Sequence, residues 1–259
     1  MNIQILHDKS IILSFLKRNP ELQVYCIGDL DDFFWPKTIW YALVEDETIL
    51  SIALLYSGME IPTLLLFHAD HAEYSKILLN RVKSILPDAF YAHLSPGLID
   101  IFDRKNIIED YGLTHKMALR KNPPVINDSN IRRLSVDDLP AILDLYTLAY
   151  PHNWFDKRML ETGKYFGYFK NQQMAGIAGI HVYSPQYRVA ALGNITTHPD
   201  YRKQQIAYKL TAALCSDLFK SVDFIGLNVK SNNDFAIKCY TKLDFEIIGQ
   251  YEEYYLKNV

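Results

Sequence analysis

Residues 189–210, Val-Ala-Ala-Leu-Gly-Asn-Ile-Thr-Thr-His-Pro-Asp-Tyr-Arg-Lys-Gln-Gln-Ile-Ala-Tyr-Lys-Leu, constrain this chain more than any other stretch. Val189 to Thr197 is apolar and β-branched, the pattern of a buried strand. His198-Pro199-Asp200 ends that strand, because Pro199 has no N–H to donate and turns the residue before it away from helix. Beyond Arg202 the period becomes helical, with Ile206, Leu210, Ala213 and Leu214 on one face. A strand, a polar turn and a helix start in succession leave free N–H groups and a positive dipole end at the strand's carboxyl edge. That arrangement takes an anion and suits a phosphate. Arg202 and Lys203 stand where the dipole disfavours cations, so an anion is expected to join them.

The rest of the chain supplies two units of ordinary size within 259 residues. The first quarter opens on a helix, Lys9 to Lys17, ended by Asn19-Pro20. Trp40–Glu45 and Thr48–Tyr56 form a hairpin about Asp46-Glu47. Ile61–His68 is a strand and Ala72–Leu86 a helix with apolar residues at helical spacing. Phe90–Leu94 is a short strand, Gly97–Arg104 a short helix and Leu113–Leu119 a last strand. The polar, proline-containing segment from Lys121 to Asn130 reads as a linker, dividing the chain into 1–125 and 129–259.

In the second unit, Ser135 with Asp138 predicts a capping box for a helix running to about Ala149. A hairpin about Asn171-Gln172 follows, then the strand-turn-helix. Strand Phe224–Val229, helix Asp234–Lys242 and strand Glu246–Leu256 complete it. The two halves share an order of elements. Phe67-His68-Ala69-Asp70 sits where Thr197-His198-Pro199-Asp200 does, and Ile99-Asp100-Ile101-Phe102 where Ile237-Lys238-Cys239-Tyr240 does. An internal repeat is therefore expected, with an unrelated α/β cap as the alternative.

Two motifs resemble one family. Thr197-His198-Pro199-Asp200-Tyr201-Arg202, with Gln205 and Ala207 after it, looks like the acyl-CoA pyrophosphate loop of the GNAT superfamily of N-acyltransferases, Arg/Gln-x-x-Gly-x-Gly/Ala. Asn233-x-x-Ala236-Ile237-x-x-Tyr240-x-Lys242-Leu243-x-Phe245 is similar to that superfamily's second motif. The resemblance covers roughly residues 131–256, with Gln205 and Asp244 each standing where the family has Gly. With the internal repeat it implies an α/β fold of two GNAT-like domains, each a mixed, mostly antiparallel twisted sheet flanked by helices, the first degenerate and without chemistry because it has no Arg-x-x-Gly-like turn and has Phe102 at the place of Tyr240.

The same resemblance implies transfer of an acetyl group from acetyl-CoA directly to a primary amine. The edge at Ile195, Thr196 and Thr197 would hold the pantetheine arm. Arg202 with the turn and helix start at Lys203, Gln204, Gln205, Ile206, Ala207 and Tyr208 would hold the pyrophosphate, and Asn233 would cap its helix or meet the cofactor. A Gln at 205 is compatible only if its φ is negative and its side chain points outward. Tyr240 is the expected general acid, since a phenol (pKa about 10) can protonate a departing thiolate (thiol pKa about 8.5).

No carboxylate lies on residues 189–197, so the base is either His181, which has the appropriate pKa range, or a water wire from the substrate amine to bulk. Asn194 could orient a water, and Glu252 and Glu253 read as a solvated strand edge. Trp35, Trp40 and Trp154 either line an acceptor pocket or pack the core. Asp29, Asp31 and Asp32 form an acidic cluster that would attract an amine or simply face water. His68 and His71 lack metal-site partners, and no metal is expected.

Composition limits the alternatives. A net charge of −3 gives no drive toward nucleic acid, which counts against an aminoacyl-tRNA donor. No apolar run reaches 18 residues, so no membrane partner is expected. Cys26, Cys215 and Cys239 read as reduced, packed thiols, and the chain's start lacks a secretory pattern, so the expected setting is cytoplasmic. The expected acceptor is a small-molecule or peptide amine. A non-catalytic acyl-CoA-binding or regulatory protein, and a scaffold that meets no nucleotide, remain the alternatives.

Overall fold

The structure, a computed structural model, describes residues 1–68 and 71–258, so Ala69 and Asp70 of the proposed repeat lie outside the described residues. Two compact units divide the chain. One holds residues 1–116, 230–232 and 247–259, the other 117–229 and 233–246. The division therefore falls after Lys116 rather than at 125–129, and the chain's last residues belong to the first unit. The expected linker is coil fastened to the second unit by the Asp128–Lys209 ion pair at 2.7 Å.

The first unit runs β1 (Asn2–Leu6), α1 (Lys9–Leu16), α2 (Val24–Gly28), β2 (Thr38–Glu45), β3 (Thr48–Tyr56), β4 (Thr63–Leu66), α3 (Ala72–Val82), β5 (Ala89–Leu94) and the start of β6 (Ile107–Leu119). Asp8 caps α1 by accepting the Ser10 N–H at 2.7 Å. The β2–β3 turn is Asp46-Glu47, both at positive φ, as a two-residue hairpin loop requires. Strands β1 to β4 pair antiparallel, then β4 and β5 pair parallel across α3. Helix α3 buries Leu78, Leu79 and Val82 with Leu64, Phe90 and Leu94. The strand β1 was not anticipated from its alternating, polar-rich sequence, and the helix expected at Gly97–Arg104 is two short 3-10 turns.

The second unit repeats that plan with β7 (Ile131–Arg133), α4 (Leu139–Ala149), β8 (Phe166–Lys170), β9 (Gln173–Ser184), β10 (Val189–Thr197), α5 (Ile206–Leu218), β11 (Phe224–Lys230) and α6 (Asp234–Thr241), and ends on the first two residues of β12 (Phe245–Lys257), the rest of which belongs to the first unit. The capping box at Ser135 and Asp138 forms with both bonds present. Strands β7 to β10 pair antiparallel, and β10 pairs parallel with β11 across α5. Antiparallel meander, crossover helix and parallel strand thus occur twice. Ile206, Leu210, Leu214 and Leu218 of α5 are buried with Ile177, Leu192 and Ile225 of the sheet, so the helix start lies over the carboxyl end of β10. The terminal part of β12 returns to pair with β5, burying Tyr254 and Leu256 in the first core.

Candidate active site

In the second unit, β10 and β11 pair only from Val189↔Phe224 to Leu192↔Leu227. Both strands continue beyond that point, so β10 presents Gly193 to Thr197 as an edge unpaired with β11. On its other side β10 keeps β9 through Thr196↔Ile177 and Thr197↔Gly176, with a bulge between Gly193 and Thr196. A 3-10 turn, Pro199–Tyr201, follows, held by the His198 Nδ1 accepting the Asp200 N–H at 3.2 Å.

The turn then opens into α5. Arg202, Lys203, Gln204 and Gln205 are all exposed. Lys170 Nζ reaches Gln204 Oε1 at 3.0 Å, and the Gln205 side chain makes no capping bond to the helix. Among the described residues, the N–H groups from Lys203 to Tyr208 have no acceptor, as the start of an uncapped helix leaves them. Lys203 and Gln205 take φ of 63° and 61°. The expectation of a negative φ at Gln205 is therefore corrected. The turn is left-handed here, and Gln205 bears the steric cost of a Cβ in that conformation. Its side chain is exposed and makes no capping bond.

Tyr240, in α6, is half-buried against Phe245, with ring centroids 5.9 Å apart. Its hydroxyl makes no hydrogen bond among the described residues. Burial first, then the neighbouring Cys239, Tyr150 and Cys215, pushes the phenol above its ordinary value, so it stays protonated. Asn233 caps α6, its Oδ1 accepting the Ala236 N–H at 3.1 Å. His181, on β9, lies 3.2 Å from Asn194 Oδ1. Burial lowers its pKa against the opposing effect of that bond, so the ring is neutral near pH 7. No hydrogen bond joins His181 to Tyr240.

A family model described as the acetyltransferase (GNAT) family matches residues 130–245. Over these residues the chain is similar to the GNAT family. The catalytic subunit NAA20 of the N-terminal acetyltransferase B complex of Arabidopsis thaliana is 40% identical over 63 residues, which are 24% of this chain and 36% of that protein. The chain thus spans about a third of that relative. Among solved structures, a Drosophila protein superposes with a TM-score of 0.75 at 12% identity, covering 98% of both chains. A GNAT acetyltransferase from Colwellia psychrerythraea gives 0.58 at 13% identity, over 99% of this chain and 100% of that one. A tandem GNAT protein of clavulanic acid biosynthesis gives 0.57 at 13%, over 99% and 98%. At such identities these likenesses establish the fold.

One observation tests whether the GNAT fold here suits an acyl-CoA. Asn228 Oδ1, on β11 just past the point where β10 departs, is buried with no hydrogen-bond partner among the described residues. A buried acceptor of this kind costs about 1–3 kcal/mol unless a donor reaches it. The pantetheine arm carries amide N–H groups of the required type, so the residues fit the group. Asn228 escaped the sequence reading because a polar residue within an apolar strand run carries no motif. The Asn194 side chain bonds Trp154, Tyr165 and His181 rather than a water.

The remaining candidates are spread over both units. Asp29 is buried, and burial raises its carboxyl to about 8, so it does not belong to an exposed acidic lure. Glu253 is no solvated edge, since it faces His93 at 3.5 Å and Lys230 at 2.5 Å. Glu252 Oε2 is buried too. Trp40 is core, and Trp154 is half-exposed. His68 and His71 join no group of three or more candidate metal ligands among the described residues. No helix is long and apolar enough to cross a membrane. Cys26 and Cys215 are buried free thiols and Cys239 is half-buried.

Proposed function

We propose that the second unit transfers an acetyl group from acetyl-CoA directly to a primary amine of a small molecule or peptide. The observation that carries this reading is the parting of β10 from β11 after Leu192↔Leu227, which leaves a free strand edge leading to a turn of bare N–H groups. Acetyl-CoA supplies an acetyl group activated as a thioester. The edge at Ile195, Thr196 and Thr197 binds its extended arm as an added strand would bind. The N–H groups from Lys203 to Tyr208, with Arg202 and Lys203, take the pyrophosphate. Asn228 Oδ1 accepts an amide N–H of the arm. Tyr240 donates its proton to the leaving thiolate, and His181 accepts the proton of the attacking amine. The likeness to an N-terminal acetyltransferase subunit supports including peptide amines among the acceptors. The free thiols suit a reducing, cytoplasmic setting.

Calorimetric titration with acetyl-CoA is expected to give micromolar binding, and thiol release is expected with at least one member of a panel of small amines and peptides. Tyr240→Phe should lower turnover at least tenfold with acetyl-CoA affinity within twofold. Binding without thiol release for any amine would favour the non-catalytic, acyl-CoA-sensing reading. The Cβ of Gln205 in a left-handed turn supports that second reading.

A further inference from the structure

Several groups of the second unit converge on one side-chain amide. Asn194 occupies the bulge of β10 at φ 55° and is buried. Its Oδ1 accepts the Trp154 backbone N–H at 3.1 Å and lies 3.2 Å from His181 Nε2. Its Nδ2 donates to the Tyr165 hydroxyl at 2.9 Å, and Met159 Sδ is 3.8 Å away. Its backbone carbonyl accepts the Tyr146 hydroxyl at 2.8 Å.

The donors fix where the protons sit. A backbone N–H can only donate, so the atom facing Trp154 is the amide oxygen. His181 Nε2 faces that same oxygen and must itself carry a proton. The Tyr165 hydroxyl donates to the Ile180 carbonyl at 2.7 Å, so its oxygen is left to accept from Nδ2. This assignment satisfies the Trp154 N–H, His181 Nε2 and the Ile180 carbonyl together, and leaves Met159 Sδ, 3.2 Å from the Tyr165 oxygen, to the second Nδ2 proton. The chain also makes room for this arrangement. A Cβ on Gly193 would stand 2.2 Å from the His181 ring, and one on Gly179 would stand 2.1 Å from the Tyr165 ring. Both contacts are closer than real Cβ atoms permit, so only glycine admits these rings. Asparagine is, in turn, the kind of side chain that tolerates a left-handed backbone.

We propose that Asn194 is a positioning residue that holds His181 as the Nε2–H tautomer, with Nδ1 as the proton-accepting nitrogen, and fastens the 153–155 segment to the bulge of the central strand. Its catalytic consequence rests on the reading of His181 as the base. Base, strand bulge and the loop bearing half-exposed Trp154 then move as one body, which couples proton transfer to the placement of the acceptor.

Long-range proton–nitrogen spectra of the ligand-free protein test this with two variants. Asn194→Gly suits the left-handed backbone and removes the amide. It should mix the His181 tautomers, speed exchange of the Trp154 amide at least tenfold, and raise the acceptor KM at least fivefold with the acetyl-CoA Kd within twofold. Asn194→Asp keeps an oxygen toward both donors and adds a charge, so the His181 pKa and the acid limb of kcat/KM should move upward together. An unaltered tautomer and unaltered Trp154 exchange in folded Asn194→Gly overturn the proposal. Should that variant fail to fold, an unmoved His181 pKa in Asn194→Asp overturns it instead. Spectra that shift while rate and pH profile do not would remove His181 as the base and leave the placement of its ring supported.

Discussion

Gln205 and Lys116 show how single residues depart from what their surroundings favour. Gln205 holds a left-handed conformation that disfavours any Cβ by about 1–2 kcal/mol. Gln205→Gly relieves that strain and is offset in part by the greater freedom of glycine in the unfolded chain. A net gain of about 0.5–1 kcal/mol is expected, seen as a melting point raised by about 1–4 °C, together with tighter acetyl-CoA binding. A lower melting point would show that Gln205 makes a stabilising contact. Asp244, at φ 63°, stands at the other position where a glycine is usual and repeats the arrangement.

Lys116 is buried in the first unit with its Nζ lacking any hydrogen-bond partner. That nitrogen lies 3.9 Å from the centroid of Phe67, 5.2 Å from Tyr25 and 5.4 Å from Tyr251. Burial lowers its pKa to about 8 against the opposing effect of Cys26. For a base whose folded pKa is depressed, the penalty is full below the folded value and disappears above the unfolded one. Stability should therefore rise between about pH 8 and about pH 10.5. Lys116→Met keeps the bulk and removes the charge. It should gain about 2–3 kcal/mol at pH 7 and almost nothing above pH 10.5, as thermal melts across pH would show.

Among elements, β12 ties chemistry to fold. It pairs Glu253 directly with His93 of β5. Burial alone would raise the Glu253 carboxyl, but His93 and Lys230 outweigh it and hold the group down to about 2. A carboxylate with a depressed folded pKa stabilises above its unfolded value and loses that contribution as pH falls toward the folded one. Glu253→Gln should cost about 2–3 kcal/mol at pH 7, with the deficit shrinking from about pH 4.5 down to about pH 2. Urea melts at several pH values would check this, and a deficit independent of pH would refute it. The sequence displayed β12 as a strand through its β-branched and aromatic run, but not its charge partners. Those come from strands distant in the chain, which no local pattern encodes.

At the scale of the whole molecule, the chain folds the same plan twice and uses its last residues to complete the first copy. Removing residues 247–259 takes Tyr254 and Leu256 from the first core and the partner strand from β5. Each such side chain contributes about 1.5–3 kcal/mol on burial. Hydrogen exchange of that truncated chain should therefore show lost protection in β2 to β5, with β8 and β9 still protected. Retained protection in β5 would refute the assignment of the terminal segment to the first unit.

By itself the sequence determined the periodic elements, both two-residue hairpin turns, the capping box and the strand-turn-helix with its uncapped helix start, since each depends on neighbours within a few residues. It also displayed Tyr240, through a motif confined to one short helix. Only the tertiary structure decided that the unit boundary lies inside β6 and that Gln205 is left-handed. It alone left Asn228 without a partner and made Asn194 a hub for Trp154, Tyr165 and His181. These features arise where segments remote in sequence meet, and the space, charge and unmet hydrogen bonds at such meetings are properties of the packed chain.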